Sequence, residues 1–166
     1  MILYILRHGI AEEALSGGDD GARKLTAKGR DKMRDAAEGM REFGLRFDAI
    51  LTSPLARATE TAEIVASAYA NTPPPQVLPA LATGVPADEA AAALRSFAKQ
   101  KHMMIVGHEP QLSALAALLI TGSTDAPKLA LKKGGCITLQ VPSRLERGGA
   151  ELLWMLTSRQ LRKLRK

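Results

Sequence analysis

One cysteine, Cys136, stands among 166 residues, so the chain cannot close a disulfide within itself, and a reducing, cytoplasmic setting is expected. Aromatic residues make up only 4% of the chain. That is too few for the stacked aromatic platforms with which single-stranded nucleic acids are bound, and no nucleic-acid partner is expected. No apolar run approaches the roughly 18 residues of a membrane helix. The apolar start at Ile2 has no basic segment before it and no small-residue cleavage pattern after it, so it does not read as a signal peptide. There are only three histidines, His8, His102 and His108. His102 and His108 sit at opposite ends of one predicted strand, roughly 20 Å apart, which removes a three-histidine metal site. Internal repeats and an evident linker are also missing.

The net charge of +6 is mostly local. Arg159, Arg162, Lys163, Arg165 and Lys166 carry five of those charges, and without them about +1 remains. The simple expectation is one domain over residues 1–158 and a solvated, frayed basic tail over 159–166. The sharper one is contact of that tail with an acidic partner. The length suits one domain with a substantial core, and the 46% apolar and 24% charged content is ordinary for a globular chain.

Strands and helices alternate. Ile2–Leu6 is a fully apolar β-type run, and the polar stretch Ala11–Lys24 follows it. Thr26 is placed to cap a helix whose inner face is Met33, Ala36, Ala37, Met40 and Phe43, with Gly44 as its stop. Asp48–Thr52 reads as a second strand. Ser53-Pro54 reads as an N-cap with proline in the first turn, and Leu55, Ala58, Ala62, Val65 and Tyr69 make the buried stripe of the next helix. A short strand is expected at Gln76–Pro79 and an alanine-rich helix at Pro86–Phe97. Met103–Val106 is another apolar strand, and Pro110 opens a helix through Leu119 that is apolar on nearly every side. Cys136–Val141 and Glu151–Thr157 complete the set, joined through Gly148-Gly149. The order predicts an α/β sandwich around a mostly parallel sheet, with the last pair adding an antiparallel edge.

Ligands of open α/β sheets bind beyond the carboxyl ends of the strands. Three such ends here carry polar groups: Arg7-His8-Gly9, Ser53 to Arg57, and Gly107-His108-Glu109. Side chains on a helix tilt toward its N-terminus, so Arg57 can reach back over the sheet. Two arginines and two histidines converging on one crevice suit a phosphoryl group. Guanidinium forks match phosphate oxygens and stay charged. A neutral imidazole can attack phosphorus covalently, and a second one can stabilise the transition state. The arginines supply the positive charge, so neither metal nor cofactor is expected. Taken singly, each residue has a plainer explanation. His8 fits a hydrogen-bonded strand end, His108 a helix cap and Arg57 a surface cation. Glu109 complements a helix N-terminus. Ser53 is a cap rather than a nucleophile, because no Gly-x-Ser-x-Gly elbow surrounds it. Those explanations do not account for the clustering at strand ends.

Leu6-Arg7-His8-Gly9, Leu51 to Ala58 with Thr61-Ala62, and Val106 to Pro110 together resemble the histidine phosphatase (phosphoglycerate mutase-like) superfamily. Leu25-Thr26 with Gly29 and the Gly-His-Glu-Pro form are similar to its small SixA-type phosphohistidine phosphatase branch. The resemblance covers Met1 to about Val141. It implies a three-layer α/β/α fold with one antiparallel strand and a catalytic domain over 1–158. It implies that His8 is a nucleophile passing through a phosphohistidine intermediate. Arg7, Arg57 and His108 are then catalytic with it, and Arg7, Arg57, His108 and Gly9 bind the substrate phosphate. Many superfamily members carry an acidic residue between the second and third motifs. Here Leu78 to Gly84 contains no carboxylate, and Asp88 and Glu89 fall in a predicted helix. An alkoxide leaving group needs a positioned acid, whereas a phosphoramidate needs less help. The expected substrate is therefore phosphohistidine on a signalling or phosphotransfer protein, hydrolysed by a monomer. A small phosphate ester is the alternative, and a non-catalytic module for phosphorylated or polyanionic partners is a third reading.

Overall fold

The computed structural model describes the whole chain except Leu15 and residues 126–128 and 143–144. A single six-stranded sheet forms its middle layer. The strands are β1 (Ile2–Arg7), β2 (Ala49–Thr52), β3 (Gln76–Val77), β4 (His102–Gly107), β5 (Cys136–Gln140) and β6 (Glu151–Leu156), in the spatial order β3-β2-β4-β1-β5-β6. The pairs β3–β2, β2–β4 and β4–β1 are parallel. β5 lies antiparallel to both β1 and β6, so it alone runs against the other five. This is the mostly parallel sheet with one antiparallel strand that the family resemblance implies.

The period of two along β1 assigns its side chains to two cores. Leu3 and Ile5 face α3 (Ala87–Leu94) and α4 (Gln111–Thr121), together with Met103, Ile105, Ile137 and Leu139. Tyr4 and Leu6 face the opposite side, with Met104, Val106 and Ile50. There they meet α1 (Ala27–Glu42), α2 (Ala56–Ser67) and α5 (Ser158–Lys163). Burying each such side chain contributes about 1.5–3 kcal/mol, which makes β1 a firm support for whatever stands at its end. α4 buries Leu112 and Leu115 to Leu119, as its all-round apolarity predicts. Cys136 is fully buried, and burial pushes its thiol up to about 12.

The caps explain where the helices begin. The Thr26 side chain accepts from the Gly29 amide at 2.9 Å and starts α1 as predicted. Gly44, at φ +85°, lies just beyond the end of α1 in the left-handed region that favours glycine. The expected Ser53-Pro54 cap is corrected: α2 starts at Ala56, with Leu55 in the cap position. The Ser53 hydroxyl is engaged elsewhere, and that displacement matters for the site.

The frayed-tail expectation is also corrected. α5 spans the presumed boundary at residue 158, so 159–166 is not a separate tail. Thr157 and Gln160 form a reciprocal capping box, and Leu161 is fully buried against α1. Gly39 permits this contact, since a Cβ there would lie 1.9 Å from the Leu161 carbonyl oxygen. Arg165 pairs with Asp35. Leu161→Ala is expected to cost about 2–5 kcal/mol, measurable by urea unfolding. A freely frayed segment would leave stability unchanged. Among the described residues no helix is long and apolar enough to cross a membrane.

Candidate active site

Strand register brings the three predicted motifs into one row. Arg7 on β1 lies opposite Gly107 on β4, and Thr52 on β2 lies opposite Val106. The residues that follow each strand, His8, His108 and Ser53, therefore leave the sheet side by side. Backbone bonds hold this rim: His8 N–H donates to Gly107 O at 3.1 Å, and Ser53 N–H to Val106 O at 2.9 Å. On the other flank Gly134 N–H donates to the carbonyls of Arg7 and His8.

The imidazoles of His8 and His108 stand with centroids 5.1 Å apart, both nearly fully buried. His8 Nδ1 lies 2.7 Å from the Gly9 carbonyl oxygen. A carbonyl accepts only, so Nδ1 carries the proton and Nε2 keeps its lone pair. His108 Nε2 lies 2.8 Å from Ser53 Oγ, which itself accepts from the Leu55 amide at 3.3 Å. The serine oxygen can accept from the ring or donate to it, so this contact fits either tautomer of His108 and leaves Nδ1 as the other ring nitrogen. That atom is buried without a partner among the described residues.

Burial drives His8 down to about 4, helped by the fields of Arg57, Arg7 and Lys133 and opposed by the Gly9 carbonyl. Burial drives His108 down to about 3, with His8, Arg57 and Arg7 adding to the shift and Asp20 opposing it. Both rings are neutral at pH 7, which leaves His8 nucleophilic. The folded state thus binds fewer protons than the unfolded chain between about pH 4 and the ordinary 6.5. Stability is expected to rise with pH through that window and to be lost as pH falls through it. The kcat/KM of the free enzyme should show no acid inflection near 6.5, only a fall near 4. A pH–rate profile checks this.

Arg57 is almost fully buried near the start of α2. Its Nη1 donates to Asp20 O at 2.7 Å and its Nη2 to Asp20 Oδ2 at 3.0 Å, while Nε has no partner among the described residues. Arg7 donates from Nη1 to Leu131 O at 2.9 Å, and its Nε is likewise unpartnered. Gly9 is placed differently from expectation. Its amide donates to Thr61 Oγ1 at 3.1 Å, so it is not a free donor for phosphate. Its contribution is the carbonyl that fixes the His8 tautomer. A Cβ on Gly9 would meet Met33 Cγ at 2.7 Å, so α1 packs directly on this turn.

His102 opens β4 at the far end from His108 and contacts Tyr4. Asp88 is paired with Arg147, and Glu89 is exposed in the first turn of α3. Glu109 is half-buried, and burial raises its carboxyl. The loop Leu78–Gly84 is held by buried Gln111, whose Nε2 donates to the carbonyls of Ala80 and Val85 at 2.8 Å. Three contributors escaped the sequence reading: Ser53 as partner of His108, Thr61 as partner of Gly9, and Asp20 on Arg57. The Asp20 carboxyl is held below the usual carboxylate range by Arg23 and then Arg57. In this pose it is an anion on the guanidinium, with no proton to give.

A model of the histidine phosphatase superfamily (branch 1) matches residues 3–83, from β1 through the loop after β3. An uncharacterised protein of Picosynechococcus sp. is 38% identical over 161 residues, covering 95% of this chain and 96% of that protein. The chain belongs to the histidine phosphatase superfamily. Among its relatives in that superfamily, phosphohistidine phosphatase SixA of Escherichia coli (strain K12) is 27% identical over 159 residues, covering 95% of this chain and 94% of SixA. The structure of SixA complexed with tungstate superposes with a TM-score of 0.84 at 23% identity, covering 97% and 99% of the two chains. The chain therefore has the SixA-type α/β fold over almost its whole length. Membership supports a hydrolase of the phosphatase class.

Proposed function

We propose that this chain is a metal-independent phosphatase that removes the phosphoryl group from phosphohistidine on signalling or phosphotransfer proteins. The observation that carries the reading is the His8 geometry: a fixed Nδ1–H and a free Nε2 lone pair, beside His108 and within the field of Arg57. Nε2 attacks phosphorus, the phosphorus–nitrogen bond of the substrate breaks, and the departing imidazole takes a proton from solvent. Water then attacks phosphorus on His8, releasing inorganic phosphate and restoring the neutral ring. Arg7, Arg57 and His108 hold the phosphoryl oxygens, where pre-aimed donors act most strongly.

The Leu78–Gly84 loop has no carboxylate, and Asp20 is ionised where it stands. Without a poised acid, an alkoxide leaves slowly and an imidazole does not. A substrate panel tests the proposal. Phosphohistidine protein should exceed sugar phosphates and nucleotides in kcat/KM by about 10²-fold or more. Equal or better turnover of the esters would move the assignment to a small-molecule phosphatase with the same mechanism.

A further inference from the structure

Beside the site, a groove of about 220 Å³ opens at Gly9 and Gly134. Lys32 of α1, Lys132 and Lys133 before β5, and Arg159 and Arg162 of α5 line it, with no carboxylate among its lining residues. Elsewhere seven arginines, Arg23, Arg30, Arg34, Arg41, Arg57, Arg147 and Arg165, each meet an Asp or Glu. None of the five groove cations does so among the described residues. Arg159 and Arg162 are held there by α5, whose Leu161 is fully buried against α1. The groove is also continuous with the chemistry. Gly9 follows the nucleophile, and the Lys133 charge is felt at His8.

Five unpaired like charges on three separate elements repel one another, and that repulsion is relieved by a bound anionic surface. The groove is walled by α1 and α5 and reaches the site edge, so a chain segment lying in it is led to His8. We propose that this groove docks an acidic segment of the partner protein adjacent to its phosphohistidine. The inference rests on the proposed phosphohistidine substrate and adds what selects among such substrates. Charges of this kind act mainly on encounter and on KM, and their effect weakens as salt screens them.

Two synthetic phosphohistidine peptides test it, one flanked by glutamates and one by serine and glycine, with wild type and the exposed double variant Lys132→Glu/Arg159→Glu. Wild type should show kcat/KM about 10-fold or more higher for the acidic peptide at low salt, with the advantage shrinking as salt is added. The variant should lose that preference while turning over the neutral peptide like wild type, and circular dichroism should confirm its fold. Equal turnover of both peptides by wild type overturns the docking groove. So does an equal loss on both peptides in a folded variant, which would assign these residues to the phosphate site itself. If neither peptide is hydrolysed, the phosphohistidine reading fails and the groove proposal falls with it.

Discussion

His8→Ala is expected to lower kcat by about 10⁴- to 10⁶-fold, the scale seen when a covalent nucleophile is removed. Phosphate trapped on the protein by acid-labile labelling during turnover should vanish in the same variant. The two readouts separate causes. A residue that only binds phosphate would raise KM, leave a labelled intermediate on another side chain, or both. The variant should stay folded, because the ring hangs from a backbone already held by Gly107 and Gly134. Phosphoenzyme persisting after His8→Ala would sink the assignment of the nucleophile.

Arg57→Ala should cost about 10²- to 10³-fold in kcat/KM, the usual effect of removing one pre-aimed donor from a transition-state site. The guanidinium is nearly buried, so its charge acts on phosphate with little screening by water. Its partner predicts a change of opposite sign. Asp20 places a carbonyl and a carboxylate on the two Nη atoms, which a phosphoryl group also needs. Asp20→Asn keeps the shape and removes the competing charge. Inorganic phosphate should then inhibit several-fold more strongly than it inhibits wild type. The side chain of Asp20 is about half exposed, so the gain is modest. Unchanged phosphate inhibition in Asp20→Asn would show that the pair is not in competition with substrate.

Much of this site is readable before folding, for one physical reason. Buried strands of a parallel sheet are apolar throughout, so the first polar residues after them mark the rim of the sheet. Ile2–Leu6 followed by Arg7-His8 and Met103–Val106 followed by Gly107-His108 are legible on that ground. What escapes comes from contacts with no local signature. Ser53 satisfies the rule for a cap, and only the neighbouring strand reveals that His108 uses its hydroxyl. Asp20 reaches Arg57 from a loop far away in sequence, so no periodicity announces it. α5 does carry a local signature: Thr157-x-x-Gln160 is a capping-box pattern. Leu161 is the apolar residue that such a helix buries among its basic neighbours.

The central position of β1 also constrains how the protein comes into being. Ile2 pairs with His102 on one side and with Gln140 on the other. The strand that carries His8 precedes both of its neighbours in the chain, so both of them are made much later. Until then Ile2–Leu6 has no ladder to join and remains an adhesive apolar segment. Closing such long loops is slow relative to forming helices. A truncated or nascent chain therefore contains His8 but no active site, and the refolding rate should track assembly of this strand triplet rather than of any helix.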